Sequence, residues 1–121
     1  MTRHLFVYGT LRPGDVRWPI LEPFVADGGV DDAVAGVVYD TGVGYPAAVF
    51  GGEDIITGRT YSLRLETLDQ ALAALDAEEC SVEGGYHRVE LVTETGVTAW
   101  AYQYGNGLTL IPIPTGDWFS R

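Results

Sequence analysis

A helical period of any length runs through a single stretch of this 121-residue chain, and the rest is cut by glycine and proline into strand-sized pieces. That asymmetry constrains the fold more than any other feature. Thr67 followed by Gln70 has the spacing of a capping box, and Leu68, Leu72 and Leu75 then recur at helical intervals. The other apolar runs are short. "HLFVYGT" reads as an opening strand that breaks into a loop at Gly9. "VAGVVYD" and "YPAAVF" are strand-like and separated by the turn-rich "TGVG". In "DIITGRTYSLRL" the alternation is broken at Gly58, which predicts a bend or a bulge. "YHRVELVTE" and "VTAWAYQY" make two more strands joined by a turn near Gly96. "RPGDVRWPILEPF" carries three prolines and can hold at most a short helical turn. The tail "IPIPTGDWFSR" is irregular but apolar enough to pack. With no repeat and no linker, residues 1–121 read as a single α+β domain. Its elements are a curled or closed sheet, one main helix around 67–79, and short flanking helical turns.

Composition excludes several functions. Apolar residues at 46% against 20% charged mark a globular chain. A formal charge of −10 argues against a nucleic-acid partner, whose phosphates require a basic surface. The acids Asp15, Asp27, Asp31, Asp32, Asp54, Asp69, Glu94 and Asp117 are scattered and read as solvating surface. One cysteine, Cys80, allows no internal disulfide and suits a reducing compartment. "LFVY" is too short for the apolar core of a signal peptide, and no run approaches a membrane span. A cytoplasmic protein with no membrane partner is the expectation.

The helix raises a chemical question at its end, "LDAEEC". At about 100° per residue, Glu79 falls about 20° from Leu68, inside the apolar stripe, and Glu78 about 80° away, at its edge. A charged carboxylate on a core face costs several kcal/mol unless it is paired or protonated. Either the helix ends early and Glu79 swings into solvent, or Glu79 is a general base whose pKa is raised by burial. Periodicity alone leaves both open.

"FVYGTLRPG" is the second constellation. Gly9 permits a sharp turn at the strand end, and the backbone N–H groups of Thr10 and Leu11 can then form a nest for a carboxylate or oxyanion. A plain turn fits the same residues, and the spacing of a dinucleotide or phosphate loop is absent. Arg12 adds a charge that either serves this loop or is solvated. Cys80 with His87 as base would make a thiol hydrolase, against the simpler reading of a small packed cysteine. His4 and His87 show no metal-ligand spacing. Trp100, Tyr102 and Tyr104 alternate onto one strand face as core or pocket wall, and Tyr102 is the candidate to reach a ligand.

In order along nearly the whole chain, "FVYGTLRPG", "GYPAAV", "ITGRTYSL", "LDAEEC", "YHRVEL", "AWAYQY" and "GDW" resemble the gamma-glutamylcyclotransferase-like superfamily, in its small gamma-glutamylamine cyclotransferase-like branch. The first motif and the "LD..E" helix end are the specific ones. The resemblance implies a small mixed β-barrel flanked by helices, with a cavity at the "YGTL" loop. It implies conversion of a gamma-glutamyl amide or amino acid to 5-oxoproline with release of the amine, and no metal or organic cofactor. The substrate-holding loop then falls on Tyr8, Gly9, Thr10 and Leu11, and the catalytic glutamate on Glu79. Tyr86 and Arg88 match the family's "Y.R" pattern, in a structural or a catalytic role. The pattern departs after "RPG": relatives often carry an asparagine-containing helix where this chain has "DVRWPILEPF", in a region expected to border the pocket. Two other readings stand beside the enzyme: a non-catalytic module that binds a carboxylate ligand in the same cavity, and a Cys80-dependent amide hydrolase.

Overall fold

The computed structural model describes residues 2–9, 17–81 and 84–120, and of Cys80 and Ser81 the backbone alone. Among these, the strands are β1 (His4–Val7), β2 (Val30–Asp40), β3 (Pro46–Ser62), β4 (His87–Val92), β5 (Thr98–Gln103) and β6 (Ile111–Pro112), and the helices α1 (Trp18–Leu21) and α2 (Leu68–Ser81). The strands form one sheet in the order β4-β5-β1-β3-β2-β6. β1 and β5 run parallel and the other neighbours antiparallel, so the sheet is mixed.

The sheet curls into a half-barrel because its longest hairpin is bent. β2 and β3 pair along most of their length, but between Ala35 and Gly36 the partner jumps from Ile55 to Phe50, and residues 51–54 bulge out. Such an insertion increases local twist. Beyond it, the first half of β3 meets the end of β5: the Tyr104 amide donates to the Ala48 carbonyl (3.0 Å) and the Phe50 amide to Gln103 Oε1 (3.0 Å). At the other end, the β4–β5 turn reaches β2 through the Glu94 amide and the Ala33 carbonyl (2.8 Å). The bulge therefore lies at residues 51–54 and not at Gly58. β3 keeps its register through that residue, whose missing Cβ would lie 2.3 Å from the Val7 carbonyl oxygen, so glycine is there to let β1 approach.

Both faces of β1 are covered, which explains why "LFVY" shows no alternation. Leu5 and Val7 face α2, in a cluster with Tyr61, Leu63, Tyr102, Leu68, Ala71 and Leu75. Phe6 and Tyr8 face the opposite way, among Val34, Val38, Ile56, Ala101 and Trp118. On α2, each fully buried leucine contributes on the order of 1.5–3 kcal/mol by leaving water. The predicted capping box does not form. A 3-10 turn at Leu65–Thr67 feeds the helix, the Leu68 amide is taken by the Leu65 carbonyl, and Thr67 Oγ1 is buried without a hydrogen bond. One acid read as surface is also buried: Asp32 lies in phase with Val34 and Val38 on β2. Among the described residues, no helix is long and apolar enough to cross a membrane.

Candidate active site

A cavity opens where β1 ends, and the elements that wall it are fixed by the packing above. β1 and the two residues that follow it contribute Val7, Tyr8 and Gly9; Tyr45 and the first residue of β3, Pro46, form another wall; Arg17 precedes α1, Glu79 comes from the last turn of α2, and Tyr86 and Tyr102 close the far side. Gly9 is required by proximity: a Cβ there would stand 2.7 Å from Pro46 Cγ. Thr10, Leu11 and Arg12 lie outside the described residues. So does the side chain of Cys80, and His87 is exposed on β4.

The helix persists past residue 79, so the carboxylate remains on the buried stripe. Glu79 is 5% exposed, together with Leu68, Ala71 and Leu75, while the side chain of Glu78 is 35% exposed at the stripe's edge. Its partner is Arg17, whose Nη2 donates to Glu79 Oε1 at 2.8 Å; Arg17 Nε stands 3.5 Å from Glu78 Oε1. Burial pushes the Glu79 carboxyl above its ordinary value of 4.5; the charge and hydrogen bond of Arg17 oppose this, and the neighbouring Glu78 reinforces it. The outcome is a carboxylate with a stronger hold on a proton than an exposed glutamate has, which suits a group that must both take and return one.

Three tyrosines complete the walls with their hydroxyls already engaged. Tyr8 donates to the Tyr102 carbonyl (2.6 Å), Tyr86 to the Pro46 carbonyl (2.6 Å) and Tyr102 to Asp76 Oδ1 (2.7 Å). Burial is the main reason all three phenols are shifted upward and stay neutral. Tyr102 thus lines the cavity, but its hydroxyl is turned to Asp76. Arg88 does not line it: it grips Asp76 through Nε (3.0 Å) and Nη2 (3.2 Å) and lies 4.3 Å from the centre of the Trp100 ring. Among the described residues, no group of three or more His, Cys, Asp or Glu side chains could hold a metal ion.

Sequence reasoning did not find Arg17. The signal available was indirect: a carboxylate on an apolar stripe demands a cation, and the chain has only seven to offer. Which one answers depends on a contact across 62 positions.

This fold, with a carboxylate at the end of its main helix sharing a cavity with Tyr8 and Gly9, defines a class that comparison identifies. The profile of the family described as gamma-glutamyl cyclotransferase, AIG2-like, matches residues 5–120. The chain belongs to that family. It is 35% identical to a Vibrio cholerae protein whose name assigns it provisionally as a gamma-glutamylcyclotransferase, over all of this chain and 99% of that one. The crystal structure of an uncharacterized Pyrococcus horikoshii protein superposes with a TM-score of 0.70 at 24% identity, covering 98% of this chain and 92% of the other. A mouse AIG2-like protein superposes with a TM-score of 0.59 at 21% identity, covering 87% and 77%.

Proposed function

We propose that this protein is a cyclotransferase that converts a gamma-glutamyl amide or amino acid to 5-oxoproline, releases the amine, and uses no cofactor. The observation that carries the reading is the buried Glu79 carboxylate, its pKa raised, in the same cavity as the backbone of Tyr8 and Gly9. Family membership supports the reaction class.

The chemistry asks little of the protein. The nucleophile is the substrate's own α-amine and the electrophile its γ-carbonyl carbon, so folding the substrate replaces an encounter between two molecules. Glu79 takes a proton from the α-ammonium, and the freed amine attacks the carbonyl to close a five-membered ring. The carbonyl oxygen becomes an oxyanion, for which the Tyr8–Leu11 loop supplies backbone N–H donors. Glu79 then returns its proton to the departing nitrogen, the C–N bond breaks, the ring nitrogen passes its second proton to the released amine, and 5-oxoproline and the protonated amine leave. No oxidation, metal or covalent enzyme intermediate enters this balance. The active unit is proposed to be the single domain, acting in the cytoplasm.

The test is a product assay by mass with a gamma-glutamyl amide. The expected result is 5-oxoproline formed at the rate of amine release, with no glutamate. The same substrate acetylated on its α-nitrogen should not turn over, whereas a hydrolase has no chemical need of that amine. Stoichiometric glutamate would overturn the cyclotransferase in favour of hydrolysis, and neither product would favour the carboxylate-binding module.

A further inference from the structure

Arg17 stands in the cavity in the way of any ligand that is to meet Glu79. Its guanidinium is largely buried and pairs with Glu79 Oε1 at 2.8 Å, both side chains lining the one cavity at the end of β1. A ligand that takes the place of either partner separates a buried pair of opposite charges. Removing one partner of such a pair strands the other, which is strongly unfavourable. A neutral ligand strands both ions, and a singly charged one strands the ion of its own sign. A zwitterion strands neither.

We propose that Arg17 is the receptor for the substrate's α-carboxylate, and that the head group enters by exchange: its carboxylate goes to Arg17 and its ammonium to Glu79. This rests on the cyclotransferase reading and adds to it how the substrate is recognised. Three observations carry it. The two protein charges are neighbours, and the two charges of an α-amino acid sit on one carbon, so one head group can reach both. Among the described residues Arg17 Nε makes no hydrogen bond, leaving the guanidinium a donor for the forked contact that carboxylates favour. And Arg88, the guanidinium on the other side of the Tyr102 wall, is already held by Asp76 and Trp100.

Glu78, 3.5 Å from Arg17 Nε, competes with an incoming carboxylate, but it is partly exposed and its pull is screened by solvent. The exchange also prepares the chemistry. Arg17 favours the ionised form of Glu79 against burial, and after the exchange that role passes to the substrate ammonium, the group whose proton Glu79 takes.

The test compares gamma-glutamyl methylamide with the analogue in which the α-carboxylate is a carboxamide, in the native protein and in Arg17→Met. The native protein should prefer the carboxylate by about 10²–10³-fold in kcat/KM, the usual consequence of stranding a buried charge. In Arg17→Met the preference should fall to within about tenfold of parity, mainly through a raised KM for the carboxylate substrate. Arg17→Lys, which keeps the charge without the fork, should retain some of it. If Arg17→Met lowers turnover of both substrates equally and the preference survives, Arg17 only positions Glu79 and the proposal is overturned while the cyclotransferase stands. Should Arg17→Met fail to fold, Arg17→Gln makes the same comparison. If the native protein turns over neither compound, calorimetric binding decides. Selective binding of the carboxylate form that is lost with Arg17 would keep the receptor and reject the enzyme; binding of neither would overturn both.

Discussion

Among the described residues two carboxylates, Asp32 and Glu79, have little exposed surface, and their environments push their proton affinities in opposite directions. Asp32 on β2 is 9% exposed and Glu79 on α2 is 5% exposed. Burial raises both, but at Asp32 it is outweighed by hydrogen bonds from Thr60, Thr93, the Ala33 amide and Thr95, which hold it below its ordinary 3.8. Thr60 Oγ1 lies 2.7 Å and Thr95 Oγ1 2.9 Å from Oδ2, and the Ala33 amide 2.8 Å from Oδ1. At Glu79 burial wins, since one guanidinium supplies the opposition and Glu78 adds repulsion. The difference teaches that burial alone does not single out the acid proposed to be functional. What distinguishes Glu79 is burial with few donors, in a wall open to a cavity. Asp32 is instead a strap tying the β4–β5 turn to β2.

The sharpest way to break this comparison is by kinetics. Glu79→Gln keeps the shape and removes the proton acceptor, so turnover should fall by about 10²–10⁴ with the fold retained. Glu78→Gln should stay within a few-fold of the native rate. Inactivation by the Glu78 change, with Glu79→Gln still active, would reverse the helical phase on which the assignment rests. Next in size is Gly9→Val. It places a branched side chain against the Pro46 ring, and a displacement of about 1 Å in a catalytic wall can cost up to about 10²-fold. Steady-state kinetics unchanged in a folded Gly9→Val protein would show that this turn holds no substrate.

Stability gives the smaller and complementary test. Asp32→Ala leaves several donors facing no acceptor, and should cost about 1–3 kcal/mol in urea unfolding while kcat is unchanged. The signs with pH differ. Asp32 has a lowered folded pKa, so its contribution is present above 3.8 and is lost as pH falls through the folded value. Glu79 has a raised one, so the folded state favours its protonated form; that advantage is present below 4.5 and is lost as pH rises through the folded value. Equal acid profiles for Asp32→Ala and the native protein would remove the basis of the contrast.

How much of this could be read from the chain differs by element. The inward phase of Glu79 was legible because α2 carries its own ruler: three leucines fix the stripe, and the structure extends it without a break. Asp32 was legible in principle, since it alternates in step with Val34 and Val38, but an acid between turn residues and a strand reads more readily as surface. The full length of β3 was not. Gly51 and Gly52 both have positive φ, and a glycine pair of that kind signals equally the end of a strand or a bulge within one. The failed capping box has a different cause: a 3-10 turn over Leu65–Thr67 leads into the helix, so Thr67 sits inside that turn rather than at an N-cap, and its hydroxyl is buried without a hydrogen bond. Arg17 was beyond local reading altogether: its role is set by the half-barrel bringing α1 against α2.

The finest prediction concerns the pH dependence of kcat/KM, which reports the free protein. Glu79 must be ionised to accept the ammonium proton, so activity should rise with pH along a limb lying above the ordinary glutamate value of 4.5. The charged groups facing it are Arg17, from the segment before α1, and Glu78, from its own helix; Tyr8, Tyr86 and Tyr102 line the same space but remain neutral through that range. The two charges act oppositely on Glu79, so their removal should split the limb. Arg17→Met takes away the cation that favours the carboxylate and should move the limb up. Glu78→Gln takes away a like charge and should move it down, by less, because Glu78 is the last of the influences and partly exposed. Residual turnover in Arg17→Met is enough for the measurement, since only the position of the limb is read. A limb that stays fixed in both variants would belong to another group, and Glu79 would then be a buried acid of the same structural kind as Asp32.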